Sequence, residues 1–203
     1  RNGIIVTVLF ACLIGSALLF YAGWELIIVG LLCVLFAFLY TTGPYPLSYN
    51  GWGDVLVIVF FGFVPVGGTY YVQALTWTSD TTVASLICGL LIDTLLVVNN
   101  YRDREADARS GKRTVIVRFG EKFGRYLYLM LGVAASLLCF WFFFEGHLFA
   151  ALLPLLYLIP HVLTWRRMVQ IHSGKKLNSI LGETSRNMLL MGILLSIGFL
   201  IRH

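Results

Sequence analysis

The sequence predicts an all-α protein, a polytopic bundle of transmembrane helices forming one domain over residues 1–203. Three observations lead there. Hydrophobic residues make up 59% of the chain and charged residues only 12%, with a mean hydropathy of +0.84. A soluble chain of this size cannot bury that much apolar surface in one core. The apolar residues are also gathered into runs long enough to cross a hydrocarbon layer of ~30 Å. Finally, the basic residues fall almost wholly on one side of those runs, so the net charge of +5 reports orientation in a lipid bilayer. No nucleic-acid partner is expected.

Seven runs follow one another: Gly3–Tyr21, Leu26–Tyr40, Val55–Leu75, Val83–Val98, Gly124–Phe144, Leu148–Trp165 and Met188–Ile201. Each must be a helix, because an open strand in lipid leaves its backbone polar groups unpaired. The second and seventh are the shortest. Threaded through these spans, the N-terminus and the Thr41–Asp54, Asn99–Phe123 and Arg166–Arg186 loops share one side. Counting Arg125 with its loop, that side holds every Lys and Arg of the fifteen except Arg202. The positive-inside rule makes it cytoplasmic. The chain opens Arg1-Asn2-Gly3 without an initiator methionine, as if cut from something longer.

Between the second and third spans lies Tyr40-Thr-Thr-Gly-Pro-Tyr-Pro-Leu-Ser-Tyr49. Pro44 and Pro46 forbid regular helix, which leaves a rigid interfacial turn or one wall of a substrate pocket. Cys12, Cys33, Cys88 and Cys139 stand alone in apolar runs and read as small buried hydrophobes. His147, His161, His172 and His203 sit at span ends without ligand spacing and read as interfacial. Asp93 lies inside the fourth span, where a carboxylate is costly. It either bonds a neighbouring helix or lines a cavity, on the face it shares with Asn100.

The chemistry concentrates after the fourth span, in Asn99-Asn-Tyr-Arg-Asp103-Arg-Glu-Ala-Asp107-Ala-Arg-Ser-Gly-Lys112-Arg-Thr-Val-Ile-Val-Arg118. Asn99, Asp103 and Asp107 recur every four residues, one oxygen-bearing stripe on a helix continuing from the membrane. That helix should stop near Ser110-Gly111. Two carboxylates one turn apart, without His or Cys, form a hard-oxygen site suited to Mg²⁺, which takes few carboxylates and completes its shell with water and phosphate oxygens. Lys112, Arg113 and Arg118 follow, and Arg and Lys both recognise phosphate. Spacing alone leaves two readings open: a metal–diphosphate site, or carboxylates paired with neighbouring arginines.

The run NNYRDREADARSGKRTVIVRFG resembles the second aspartate-rich motif of the UbiA superfamily. With the loop TTGPYPLSYNGWGD and the following FFGFVPVGGTYYVQ, it is similar to the branch of 1,4-dihydroxy-2-naphthoate polyprenyltransferases of menaquinone synthesis. The resemblance implies nine helices around a central cavity open to the cytoplasmic side of a bacterial membrane, of which about seven are present here. It implies Asp103 and Asp107 as catalytic Mg²⁺ ligands, with Asn99, Asn100, Lys112, Arg113 and Arg118 on the substrate. The family's first motif, of the form NDxxDxxxD, is absent from the chain, so the domain is expected to be incomplete at its N-terminus, lacking two helices.

The implied reaction transfers a polyprenyl group from an allylic diphosphate to an aromatic acceptor. For a dihydroxynaphthoate, the carboxyl group leaves as CO₂. Another acceptor, 4-hydroxybenzoate or homogentisate, is the alternative within the family. A membrane transporter is the alternative outside it, disfavoured because no span besides the fourth carries a mid-membrane charge.

Overall fold

A computed structural model describes residues 2–201 and, among them, helices and turns without a strand. Arg1, Arg202 and His203, which entered the reading of orientation and interfacial histidines, lie outside the described residues. Among the described residues, six helices are long and apolar enough to cross a membrane: α1 (Gly3–Ala22), α3 (Gly53–Ala74), α4 (Ser79–Arg109), α5 (Val115–Phe144), α6 (Leu148–Ile171) and α7 (Lys175–Leu200). The remaining apolar helix, α2 (Glu25–Thr41), has 17 residues. At 1.5 Å per residue it reaches roughly 25 Å, the lower end of what spans a bilayer.

α4 is the axis of the bundle. Thr78 caps it, its hydroxyl oxygen accepting from the Thr81 amide at 3.1 Å, and it then runs 31 residues. That is roughly 46 Å of helix, longer than the ~30 Å hydrocarbon layer, so part of it projects beyond. Towards the charged end, Val97, Val98 and Tyr101 pack with Ile116, Tyr128, Met168 and Ile180 from α5, α6 and α7. Further down, Ile87 and Leu91 meet Ala135, Phe142, Tyr157 and Met191.

α3 lies tightly on α4 because glycine faces glycine. A Cβ on Gly62 would stand 2.5 Å from the Ser85 carbonyl oxygen, and one on Gly89 would stand 2.9 Å from the Ile58 Cα. Small residues let helix backbones approach closely in lipid. Pro65, with no amide hydrogen, sits in a ten-residue π-helical stretch, Ile58–Gly67, where the hydrogen-bond ladder has slipped by one residue. α1 and α2 lie outside this core. Ala22 is buried, but α2 buries no residue and meets α3 through the Phe36–Phe60 ring pair at 5.2 Å.

Four expectations need correction. The seventh span begins well before Met188, with a 3₁₀ turn at Lys175–Leu177 that leads into regular α-helix from Asn178, so much of the Arg166–Arg186 loop is helical. The fifth begins at Val115 and bends at Gly120 (φ +87°). Hydropathy missed both because these turns carry exposed charged residues, Arg118 and Lys122 in the fifth and Arg186 in the seventh, and the seventh also buries the polar Thr184 and Asn187. The cysteines are not uniformly buried: Cys12 is exposed, Cys33 and Cys88 are half-buried, and only Cys139 is fully enclosed among the described residues. Cys12 lies on α1, which has little to pack against. His161 is not interfacial but fully buried. Gly132 makes room for its ring, which stacks between Tyr128 and Tyr157.

Candidate functional site

The site is built where α4 ends and the chain turns back. Gly111 adopts φ +79°, a conformation that glycine takes without steric cost. The Ser110 amide donates to the Ala106 carbonyl and the Lys112 amide to the Asp107 carbonyl at 2.9 Å, closing the helix terminus. Thr114 then caps α5, accepting from the Val117 amide. The short Ser110–Arg113 turn thus places Lys112 back over the last turn of α4, with its Nζ 3.4 Å from an Asp107 carboxylate oxygen.

Asn99 and Asp103 are joined by a residue that spacing did not single out. Arg102 donates from Nε to Asp103 Oδ1 at 2.7 Å and from Nη2 to Oδ2 at 2.5 Å. Nη2 also reaches Asn99 Oδ1 at 2.8 Å, and Nη1 reaches Asn178 Oδ1 on α7 at 2.9 Å. Neighbours one apart on a helix normally face different ways, which is why the pair escaped a reading by stripes. A long guanidinium spans the difference. Asn178 lies 76 residues further along the chain, and no sequence signal joined it to the motif.

Asp103 and Asp107 share their surroundings: Arg102 interacts electrostatically with both, and Lys112 does the same. Asp107 is buried while the Asp103 side chain keeps 38% of its surface. Among the described residues no third His, Cys, Asp or Glu joins them to form a metal-sized group. Two carboxylates and the Asn99 amide oxygen, without nitrogen or sulfur ligands, suit Mg²⁺ by donor chemistry and leave most of its positions for water and phosphate oxygens.

The Thr41–Asp54 segment closes one wall. Pro46 is extended (φ −61°, ψ 125°) and starts a 3₁₀ turn at Leu47–Tyr49. The Ser48 hydroxyl donates back to the Tyr40 carbonyl at 2.6 Å, and the Asn50 side chain donates to the Pro46 carbonyl at 2.8 Å. This folded loop docks on the basic turn. The Arg113 amide donates to the Tyr49 carbonyl and the Arg118 guanidinium donates to the Asn50 carbonyl, both at 2.8 Å. A Cβ on Gly51, which has φ +80°, would come within 3.0 Å of the Arg113 carbonyl oxygen.

Between loop and helix lies a cleft lined by Tyr40, Ser48, Asp54, Asn100, Lys112 and Thr114. The loop thus forms one side of a small cleft. Asn100 faces this cleft, Asn99 faces Arg102, and Arg118 is engaged in holding the loop. Asp93 is buried beneath, close enough to Asp54 and Tyr40 to interact electrostatically with both. Its Oδ1 and that of Asp54 find no hydrogen-bond partner among the described residues.

The model of the UbiA prenyltransferase family matches residues 1–197. The chain is 38% identical over 181 residues to the 1,4-dihydroxy-2-naphthoate octaprenyltransferase of Haemophilus influenzae, covering 85% of this chain and 56% of that protein. The protein of the same name from Escherichia coli is 38% identical over 145 residues, 68% of this chain and 47% of that one. The Mycobacterium tuberculosis protein of that name is 44% identical over 119 residues, 59% of this chain and 40% of that one. The chain therefore spans about half the length of the curated relatives it matches. No solved structure matches it significantly.

Proposed function

The chain belongs to the UbiA prenyltransferase family, and on that premise we propose that it serves Mg²⁺-dependent transfer of a polyprenyl group from an allylic diphosphate to 1,4-dihydroxy-2-naphthoate, in menaquinone synthesis. The observation that carries this reading is the stripe of Asn99, Asp103 and Asp107 where α4 projects from the apolar bundle, with Lys112 bent back over it. The naphthoate acceptor is taken from the printed names of the relatives. The charged end faces the cytoplasm of a bacterial membrane, as the distribution of Lys and Arg argues.

Asp103 and Asp107 would hold Mg²⁺, whose contribution when bound is to neutralise charge on the departing diphosphate. Arg102 and Lys112 supply fixed positive charge at the same place, already oriented by Asp103, Asn99 and Asp107, so little reorganisation accompanies bond cleavage. The allylic C–O bond breaks with its electron pair leaving on diphosphate. The ring carbon bearing the acceptor's carboxylate then bonds to the allylic carbon, and loss of CO₂ returns the electron pair to the ring. The apolar bundle beneath keeps water from the cation. The Thr41–Asp54 loop, pinned through Arg113 and Arg118, shields the side of the site.

The test is diphosphate release and prenylated product formation from the protein with an allylic diphosphate, across a panel of dihydroxynaphthoate, 4-hydroxybenzoate and homogentisate. Mg²⁺-dependent product with the naphthoate alone is expected. Preference for another acceptor would overturn the substrate assignment, and diphosphate release indifferent to Mg²⁺ would overturn the site.

A further inference from the structure

A second charged cluster lies at the same end of the bundle, on another face of α4. Tyr101 is two residues from Asp103, about 200° around the helix axis. Its hydroxyl donates to Glu121 Oε1 at 2.8 Å and accepts from Arg125 Nε at 3.0 Å. Arg104 reaches Glu121 Oε2 at 3.3 Å, His172 Nδ1 lies 2.7 Å from Oε1, and Arg125 Nη2 completes the ring of cations around this carboxylate. His172 holds φ +63°, ψ −52°, backbone strain carried at the spot where it meets Glu121. Two permanent cations, Arg104 and Arg125, thus surround one carboxylate, and Lys122 follows it in the chain without pairing to it. None is used by the proposed transfer.

Beside the cluster, α5 and α6 frame an open groove of about 520 Å³. Glu121, Lys122, Arg125 and Tyr126 form one wall, and Trp165, Val169 and His172 form the other; the Glu121 carboxylate there is already matched by Arg104 and Arg125. The Trp165 indole N–H donates to the Arg125 carbonyl at 2.9 Å and ties the walls together. Arg125 Nη1 and the Lys122 ammonium have no protein partner among the described residues and remain free to meet an anion. The groove changes character along its length. Basic groups stand at the end nearest the charged loops, Tyr126 and Trp165 follow, and Met130, one turn beyond Tyr126 and 57% exposed, continues an apolar surface.

Cation, aromatic belt and apolar track, in that order, match an anionic amphiphile seated at a membrane interface. We propose that this groove binds the headgroup phosphate of an anionic phospholipid, with Lys122 and Arg125 on the phosphate and an acyl chain along Tyr126 and Met130. A soluble phosphate would use the cations but leave the aromatic and apolar part of the groove without a role. The assignment does not rest on the transferase reading, and its test measures binding rather than turnover.

The protein in neutral detergent is titrated with phosphatidylglycerol carrying brominated acyl chains, and separately with the matching phosphatidylcholine, while tryptophan fluorescence is followed. Bromine quenches only nearby indoles. Phosphatidylglycerol should quench at severalfold lower concentration than phosphatidylcholine, and Trp165→Phe should remove that difference. Lys122→Gln, which breaks no ion pair, should weaken phosphatidylglycerol by about fivefold, the effect of one interfacial cation, and leave phosphatidylcholine unchanged. Equal quenching by the two lipids, or a difference that survives in Trp165→Phe, overturns the site. Displacement of the lipid by equimolar inorganic phosphate would assign the groove to a soluble anion instead.

Discussion

Gly132→Ala tests the packing that holds α5 against α6. A Cβ there would lie 2.2 Å from His161 Nε2 and 2.4 Å from Cε1. The ring has nowhere to go. It is stacked between Tyr128 at 4.7 Å and Tyr157 at 5.0 Å. Its Nε2–H donates to the Leu129 carbonyl at 3.2 Å, so its Nδ1 accepts from the Tyr157 hydroxyl at 2.9 Å. Overpacking costs about 1–3 kcal/mol and loss of the Leu129 hydrogen bond about 0.5–1.5 kcal/mol. The better helix propensity of alanine offsets about 0.5–1 kcal/mol. The expected net loss is about 2 kcal/mol, within a range of about 0.5–4 kcal/mol. Gly192→Ala, where a Cβ meets nothing within 4 Å, should be neutral or mildly stabilising. The assay is reversible unfolding in mixed micelles, run as a double-mutant cycle with His161→Ala. In the His161→Ala background, Gly132→Ala should cost almost nothing. Equal, additive effects of Gly132→Ala in both backgrounds would refute the steric argument.

Asp103→Asn and Asp107→Asn should each lower prenyl transfer by at least ~100-fold, since an amide keeps the size but not the charge that Mg²⁺ needs. Unfolding midpoints measured alongside should stay near wild type for Asp103→Asn, whose Arg102 pair is partly exposed and worth at most ~1 kcal/mol. Chelation with EDTA should stop turnover, and added Mg²⁺ should restore it; activity that persists in EDTA would remove the metal from the proposal. Asn178→Ala should raise the KM for the diphosphate more than it lowers kcat, because it frees Arg102 from α7 without touching the carboxylates. Steady-state kinetics with the donor varied would show this.

The bilayer as solvent, the helical class and the stripe of Asn99, Asp103 and Asp107 after the fourth span could be read directly from residues. An apolar run in lipid has one backbone solution, and carboxylates four apart fall on one stripe whatever surrounds them. The stop at Ser110-Gly111 was equally local. What needed the tertiary structure was each feature set by pairing across the chain. Asn178 meets Arg102 because α7 begins well before the apolar run at Met188, and its first turns, with Thr184 and Asn187 buried, look like loop to a window that sees only averages. His161 could be buried only because Gly132 opposes it 29 residues away. The Tyr40–Tyr49 loop could be recognised as non-helical, but its place as a wall depends on the Tyr49 and Asn50 carbonyls finding Arg113 and Arg118. Local periodicity determines which residues a helix can present together. Only packing determines which partners they meet, because those contacts join segments that sequence distance keeps apart.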